Sequence, residues 1–371
     1  MEIVKALALD ARLLIMDEPT AALADHEVEL LYRLVRRLQD QGIGLLYVSH
    51  RLAEVFELSG RITVVKDGRR VDTLPTADTT AGELVRLMVG REVSGCYPDR
   101  AGGGGPVRLA VRGGGNRKLR DIDLDLRAGE VLGIGGLQGS GRSALARALF
   151  GAVPFTAGEV TLDGAKVRIR SPRTAMRAGI AYVTEDRKGE GIVARQSVLD
   201  NALLAIRAVG APRSDRAGRT AQAGYADGTA PAGRADGTAP AGRVGRVREL
   251  LAAVDVRAAT EGQEIRFLSG GNQQKVVLAR WLALDPLILL FDEPTRGIDV
   301  GARSAIHQLL RHLAQQGAAV LMVSSDLPEL LGMSDRLLVM RDGRIAGELP
   351  AGATEQDVLA LAVGATRGPA A

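Results

Sequence analysis

Residues 17–20, Asp-Glu-Pro-Thr, return 275 positions later as residues 292–295. The same shift lays Leu9-Asp10 on Leu284-Asp285, Gly42 on Gly317, Ser49 on Ser324, Arg61 on Arg336 and Asp67-Gly68 on Asp342-Gly343, with no gap. A duplication of this length constrains the chain more than any composition does: it must fold as two copies of one unit. The unit reads as α/β. "ARLLIMD" and "PLILLFD" are short continuous apolar runs, the pattern of strands buried on both faces of a parallel sheet. "HEVELLYRLVRRLQDQG" and "RSAIHQLLRHLAQQG" repeat apolar residues near every 3.6 positions and stop at glycine, which predicts helices. "IGLLYVSH" and "AAVLMVSS" follow as strands, and "RITVVKDGRR" and "RLLVMRDGRI" as hairpins turning on Asp-Gly. Alternation of this kind implies a parallel sheet with right-handed crossovers.

Composition narrows what such a chain does. Of the 371 residues, 46% are apolar and 25% charged, which suits packed globular units. Aromatics make up only 3%, the net charge is +4 and no dense Lys/Arg block occurs. A nucleic-acid partner is therefore not expected, since such surfaces need stacking platforms and clustered cations. Cys96 is the single cysteine, so no internal disulfide forms and a reducing compartment is expected. No run approaches the 18 apolar residues of a membrane span, so a membrane role would come through a partner. Residues 95–107, "GCYPDRAGGGGPV", read as a Gly/Pro linker between residues 1–94 and a second unit at 108–365, with 366–371 as a tail. Residues 206–245 hold the nonapeptide "ADGTAPAGR" twice in tandem, at 226–234 and 235–243, and read as a disordered insertion.

The chemistry-bearing stretch is "GLQGSGRS", Gly136 to Ser143, between the strand-like "EVLGIGG" and the helix-like "SALARALFG". Its spacing is that of a phosphate loop with arginine, Arg142, at the lysine position. Glycines there let backbone N–H groups wrap phosphates at a helix N-terminus. Gly136, Gly139, Ser140, Gly141, Arg142 and Ser143 are the nucleotide-binding candidates, and the Ser143 hydroxyl is placed to ligate Mg²⁺. Arginine keeps the cation but is planar and bulkier than an ammonium. Asp292 would hold Mg²⁺ through water, and Glu293 would orient or deprotonate the attacking water as the catalytic candidate. Ser269, Gly270 and Gly271 open the helical "FLSGGNQQKVVLARWLALDP" about twenty residues before Asp292, with Ser269 as N-cap and glycines permitting close approach to an anion.

On "EDRKGEG" (185–191), "LSGGNQQKVVLARWL" and "DEPTRGIDVGAR", the chain resembles the fused, two-domain ATP-binding proteins of bacterial monosaccharide ABC importers. The resemblance implies P-loop NTPase domains of ABC type, one partial and one complete, packed head to tail. ATP then lies between one phosphate loop and the partner domain's Ser-Gly-Gly helix. It also implies ATP and Mg²⁺ as cofactors, transmembrane permease subunits and an extracytoplasmic sugar-binding protein as partners, and a place at the cytoplasmic face of the membrane. Carried over residue by residue, Glu185 stands where a glutamine contacts Mg²⁺ and water, Ser325 where a switch histidine is expected, and Asp299 in its expected loop. In the first copy Asp17 (metal), Glu18 and His50 (catalytic) are the residues of a hydrolytic site. His26, His307 and His312 are left as surface residues. Under the shift of 275 the first copy's phosphate loop and Ser-Gly-Gly helix fall before Met1, so the chain is expected to be N-terminally truncated and to show little or no ATPase activity. The alternatives that stay open are a non-hydrolysing nucleotide-binding regulatory protein, a homodimer built from the second unit, and a nucleoside as the transported substrate.

Overall fold

The computed structural model describes residues 11–17, 19–20, 25–49, 52–66, 69–80, 83–84, 87, 97–100, 104–209, 240–298 and 300–364. The candidates Glu18, His50 and Asp299, together with Cys96, the tandem nonapeptides up to residue 239 and the 366–371 tail, lie outside the described residues. The chain divides into two compact units, Met1–Gly95 with Asp299–Gly301, and Cys96–Ile298 with Ala302–Ala371.

In the first unit, β1 (Leu13–Asp17) pairs in parallel with β2 (Gly44–Val48), Ile15 opposite Leu46. Between them runs α1 (Asp25–Asp40). Its Leu31, Val35 and Leu38 follow the helical period and bury against Leu14 and Met16, which share one face of β1. Helix α2 (Leu52–Leu58) leads into the antiparallel hairpin β3 (Arg61–Lys66) and β4 (Arg69–Pro75), whose Asp67-Gly68 turn lies outside the described residues.

The second unit opens with β5 (Val107–Gly115), β6 (Ile122–Arg127), β7 (Val131–Gly136), α3 (Arg142–Leu149), β8 (Ala157–Leu162) and β9 (Ala165–Val167). It continues with α4 (Pro172–Ala178), β10 (Ile180–Val183), α5 (Val198–Val209), α6 (Pro240–Ala253), α7 (Gly270–Leu282) and β11 (Ile288–Asp292). It closes with α8 (Val300–Gln315), β12 (Ala319–Val323), α9 (Leu327–Met333), β13 (Arg336–Arg341), β14 (Arg344–Pro350) and α10 (Glu355–Val363). Six strands form one sheet in the order β10-β11-β12-β7-β13-β14, parallel except for the β13–β14 hairpin, and β6-β5-β8-β9 form a smaller antiparallel sheet. The hairpin turns on Asp342 and Gly343, at φ 51° and 76°, two successive left-handed residues that only Asn, Asp and Gly adopt cheaply. Both faces of the large sheet are covered. Leu289, Phe291, Val320 and Met322 point into a core with α5, α6, α7 and α8. Ile288, Leu290, Ala319, Leu321 and Val323 point the other way, into a core with α3 and the antiparallel sheet. Two-sided burial is why these strands read as unbroken apolar runs rather than alternating ones.

Three expectations need correction. The insertion expected over 206–245 is helical at both described ends, since α5 reaches Val209 and α6 starts at Pro240. Leu203 and Ile206 of α5 and Val247, Leu250 and Leu251 of α6 are buried in one core, so the helices on either side carry the Ala/Gly/Pro-rich stretch between apolar faces that lie mostly outside it. His307 is no surface residue: it is 6% exposed, and its Nε2 lies 2.7 Å from Oε1 of Glu329. Its place on the inward face of α8 follows from the helical period. Within 95–107, the Tyr97 ring packs against His307 at 5.4 Å with the planes tilted by 42°, and Arg100 donates to the Leu331 carbonyl at 2.8 Å. Any side chain at Gly332 would collide with the Tyr97 ring, so residues 97–100 are docked onto α9. The side chain of His26 lies outside the described residues, and His312 is half-buried.

Candidate functional site

The phosphate-type loop leaves the buried strand β7 at Gly136 and enters α3 through Gly141. Gly136, Gly139 and Gly141 all have positive φ, at 137°, 83° and 107°. At Gly136 a Cβ would also stand 2.4 Å from the Met340 carbonyl oxygen, so this turn requires glycine on two counts. Gly141 is the N-cap of α3 and no side chain caps it, which leaves first-turn N–H groups facing the loop. Ser140 is buried, its N–H donates to the Leu137 carbonyl at 3.1 Å, and its Oγ has no partner.

Facing the loop is the end of β11. Asp292 is fully buried; its Oδ1 accepts from Ser143 Oγ at 3.0 Å and its Oδ2 from Tyr182 OH at 2.9 Å. Burial pushes the Asp292 carboxyl up, against the opposing pull of those two bonds. The Tyr182 phenol is pushed up by its own burial and by the neighbouring Asp292. Glu293 follows at φ 53°, a left-handed conformation that costs a non-glycine residue energy and turns its side chain off the strand. Its N–H is tied to the Val323 carbonyl at 2.9 Å, and its carboxylate accepts from Ser325 Oγ at 3.0 Å. Burial raises the Glu293 carboxyl too, offset in part by Ser325 and Arg142.

Arg142 does not lie along the loop. Its Nη1 donates to the Ser324 carbonyl at 2.7 Å, and its Nη2 stands 3.8 Å from Glu293 Oε1. The guanidinium thus spans the loop after β12 and the carboxylate after β11, a reach and fork that lysine lacks. Glu185, half-buried beyond β10, is ion-paired with Arg296. Phosphate loop, Ser143, Asp292, Glu293 and Ser325 therefore form one bonded set.

Ser269, Gly270 and Gly271 form a second set. Ser269 is the N-cap of α7, its Oγ accepting from the Asn272 N–H and side-chain amide at 3.4 and 3.0 Å. A Cβ on Gly270 would lie 3.0 Å from both the Arg187 guanidinium and the Gly297 carbonyl oxygen, a tight approach that favours glycine there. The turn Arg187–Gly191 that carries this arginine is held by Arg147 of α3, through Glu190 at 3.1 Å, and by Arg280 of α7, through the Gly191 carbonyl at 2.6 Å. In the first unit, Asp17 ends β1 and is exposed. Sequence reasoning missed Tyr182 and Arg296; the signal for the first was one phenol in the fully buried strand "IAYV".

An ABC transporter family model matches residues 119–296. The chain is 47% identical over 364 residues to ribose import ATP-binding protein RbsA 1 of Rubrobacter xylanophilus, covering 98% of this chain and 68% of that protein. It is 48% identical over 366 residues to ribose import ATP-binding protein RbsA 2 of Streptomyces coelicolor, covering 98% of this chain and 66% of that protein. A putative ribose/galactose/methyl galactoside import ATP-binding protein of Agrobacterium fabrum is 41% identical, with 98% and 69% covered. The chain thus spans about two thirds of the length of these relatives. Among solved structures, a nucleotide-free ATP-binding cassette from an ABC transporter superposes with TM-score 0.55 at 20% identity, covering 69% of this chain and 96% of that one. A dimeric cassette in a post-hydrolysis state bound to ADP and phosphate gives 0.51 at 22%, covering 66% and 100%. These two likenesses concern the fold.

Proposed function

Since the chain belongs to the ribose/sugar-import family of ABC transporter ATP-binding proteins, we propose that its second unit binds Mg·ATP at the loop 136–143 and that this binding helps to power monosaccharide import. The observation that carries the reading is the bond between Ser143 and Asp292. It brings the end of the phosphate-type loop and the end of the Asp-Glu strand together, with two hard oxygen donors 3.0 Å apart. That separation suits adjacent ligands of an ion held at about 2.1 Å, and Mg²⁺ characteristically takes few protein oxygens and completes its shell with phosphate and water. The unpartnered Ser140 Oγ and the glycine cradle fit phosphate oxygens beside it. When bound, Mg²⁺ would neutralise charge on the phosphates. Ser143 and Asp292 would hold it, the loop N–H groups would orient the phosphates, and Glu185 would sit at the edge of the site.

We assign Glu293 the role of orienting or deprotonating a water, and its present contacts argue that it does so poorly. Its carboxylate is engaged by Ser325 and approached by Arg142. Ser325 supplies a hydroxyl where a histidine could carry charge to a phosphate. The second site therefore binds more than it hydrolyses, and hydrolytic roles fall to Asp17, Glu18 and His50 of the first unit. Ser269–Gly271 and Asp299 would serve a nucleotide shared with another nucleotide-binding domain, in this chain or in a second copy. No helix among the described residues is long and apolar enough to cross a membrane. A transmembrane permease, an extracytoplasmic sugar-binding protein and a station at the cytoplasmic membrane face complete the proposal.

Steady-state ATP turnover of the full chain tests it. Binding without appreciable turnover is expected, with Arg142→Lys raising whatever turnover exists. Turnover at ordinary enzyme rates, about 1 s⁻¹ or more, abolished by Glu293→Gln, would contradict the assignment of a slow second site.

A further inference from the structure

Away from the phosphates lies a buried carboxylate that the proposed chemistry does not use. Glu329, in the first turn of α9, is 3% exposed. Its Oε1 accepts from Thr295 Oγ1 at 2.6 Å and meets His307 Nε2 at 2.7 Å, and its Oε2 accepts from Ser324 Oγ. Its own N–H is capped by Asp326 at 3.0 Å. Burial pushes this carboxyl up, but the bonds from His307, Ser324 and Thr295 outweigh it and hold the group below the usual range. Taking a carboxylate out of water is costly unless every oxygen is satisfied, and an apolar residue of similar volume is often as stable. Its bonds also reach two separate loops, which a merely satisfied carboxylate does not require.

The first unit repeats this reach. At the position 275 residues earlier, Glu54 is 2% exposed and accepts from Thr20 Oγ1 at 2.6 Å and Ser49 Oγ at 3.0 Å. Glu54, Thr20 and Ser49 correspond to Glu329, Thr295 and Ser324. Tyr47 OH also donates to Glu54 at 2.9 Å, where the second unit has Met322, and the counterpart of His307 is Tyr32. The two hydroxyls are kept in both copies. Those hydroxyls share one property: each belongs to a loop that follows one of two neighbouring parallel strands.

In the second unit these loops carry the site. Thr295 is two residues beyond Glu293, and Ser324 immediately precedes Ser325 and offers its carbonyl to Arg142. The Ser325–Glu293 bond exists only while both loops hold their spacing. We propose that Glu329 is a positioning residue, whose carboxylate clamps the Asp-Glu loop to the loop after β12 and so sets the separation of Glu293 from Ser325 and Arg142. Glu54 is the same clamp in the first unit. That the positioned groups serve a nucleotide rests on the function proposed above; that Glu329 positions them does not.

The test is a double-mutant cycle on the full chain. Denaturation midpoints are measured at pH 7.5 for Glu329→Gln and Glu293→Gln, singly and together. Glu329 and Glu293 share no direct bond and are linked only through the loops that carry Thr295 and Ser324. Coupling between their substitutions therefore reports the spacing of those loops, and additive shifts leave Glu329 without a positioning role. Positioning makes the midpoint shift caused by Glu293→Gln, whatever its sign, fall to less than half in the Glu329→Gln background, while Glu54→Gln and Glu293→Gln add. If Glu329→Gln does not fold, Thr295→Val removes one arm of the clamp and carries the same cycle. A second readout is the binding of a non-hydrolysable ATP analogue. Glu329→Gln should weaken binding by about fivefold or more with Mg²⁺, and by less than about twofold in EDTA. Additive midpoint shifts, or equal losses with and without Mg²⁺, overturn the proposal. A wild-type chain that binds no nucleotide overturns only the functional reading, and the cycle still decides the clamp.

Discussion

The strand pair β1–β2 of the first unit and the pair β11–β12 of the second share sequence pattern, parallel pairing and register, Ile15 against Leu46 and Leu290 against Leu321. On one face they share burial as well. Leu31, Val35 and Leu38 of α1 pack below β1, as Ile306, Leu310 and Leu313 of α8 pack below β11. On the other face they part. Leu13 and Ile15 are each 61% exposed and Leu46 52%, whereas Ile288, Leu290 and Leu321 are 0–2% exposed, covered by the helix that starts at the phosphate-type loop. Among the described residues of the first unit, nothing covers that face. The difference teaches that a strand's apolar run records the cover it is built to take, while its observed burial records the cover it has.

The largest effect that could break this comparison comes from a charge at equivalent positions. Leu290→Asp strands a carboxylate in a closed core and should cost the second unit about 4 kcal/mol or more. Ile15→Asp, on the open face, should change stability by about 0.5 kcal/mol or less. Guanidinium denaturation of both variants decides it. Equal losses would mean that the β1–β2 face is covered in solution.

Charge gives the next contrast. The Glu293 carboxyl is raised by burial, so it stabilises the fold only while protonated: its contribution is complete below the unfolded-state value and is lost as pH rises through the folded one. Glu293→Gln should therefore raise the midpoint near pH 7.5, with the gain vanishing as the pH falls below the ordinary carboxylate range. Glu329 has the opposite sign. Its lowered carboxyl contributes above the unfolded-state value, and that contribution is lost as pH falls through the folded one. Glu329→Gln should then cost most at neutral pH and progressively less on acidification. Thermal scans of both variants between pH 3 and 8 would separate them, and parallel curves would refute the assignment.

The smallest expected difference is a near-zero one. Gly42 and Gly317 close equivalent helices at φ 79° and 89°, and a Cβ meets open space at both. Alanine at either should cost about 1 kcal/mol through the left-handed backbone alone. Unequal costs would show that the two copies differ locally and not only in their cover.

Much of this was legible from residues alone. The gap-free repeat, the apolar runs, the helical period and the glycine spacing of 136–143 report local rules that hold wherever the chain sits. What stayed hidden depends on partners distant in sequence. Nothing in "LLIMD" distinguishes a covered strand from an open one. His307 lies on an ordinary helical stripe, and its meaning appears only when α9 brings Glu329 against it. Arg142 fits a phosphate-loop pattern, yet only the fold reveals that its guanidinium turns to Ser324 and Glu293. The facing ends of α5 and α6 were hidden by the Ala/Gly/Pro-rich stretch between them, because the residues that anchor them, Leu203 and Ile206 on one side and Val247, Leu250 and Leu251 on the other, stand outside or at the margin of that stretch.

The central claim is that Ser143 and Asp292 make the second unit a Mg·nucleotide site. Trp281, the chain's single tryptophan, meets Phe150 edge-on at 5.6 Å where the phosphate-loop helix ends, which makes it a built-in reporter. The most direct measurement is a titration of the full chain with Mg·ATP, followed by Trp281 fluorescence and calorimetry, alongside Ser143→Ala. The account expects saturable binding with Kd below about 1 mM, weakened about tenfold or more by Ser143→Ala in Mg²⁺ but little changed by it in EDTA. Absence of binding, or a Ser143→Ala variant that binds Mg·ATP as the wild type does, would contradict it.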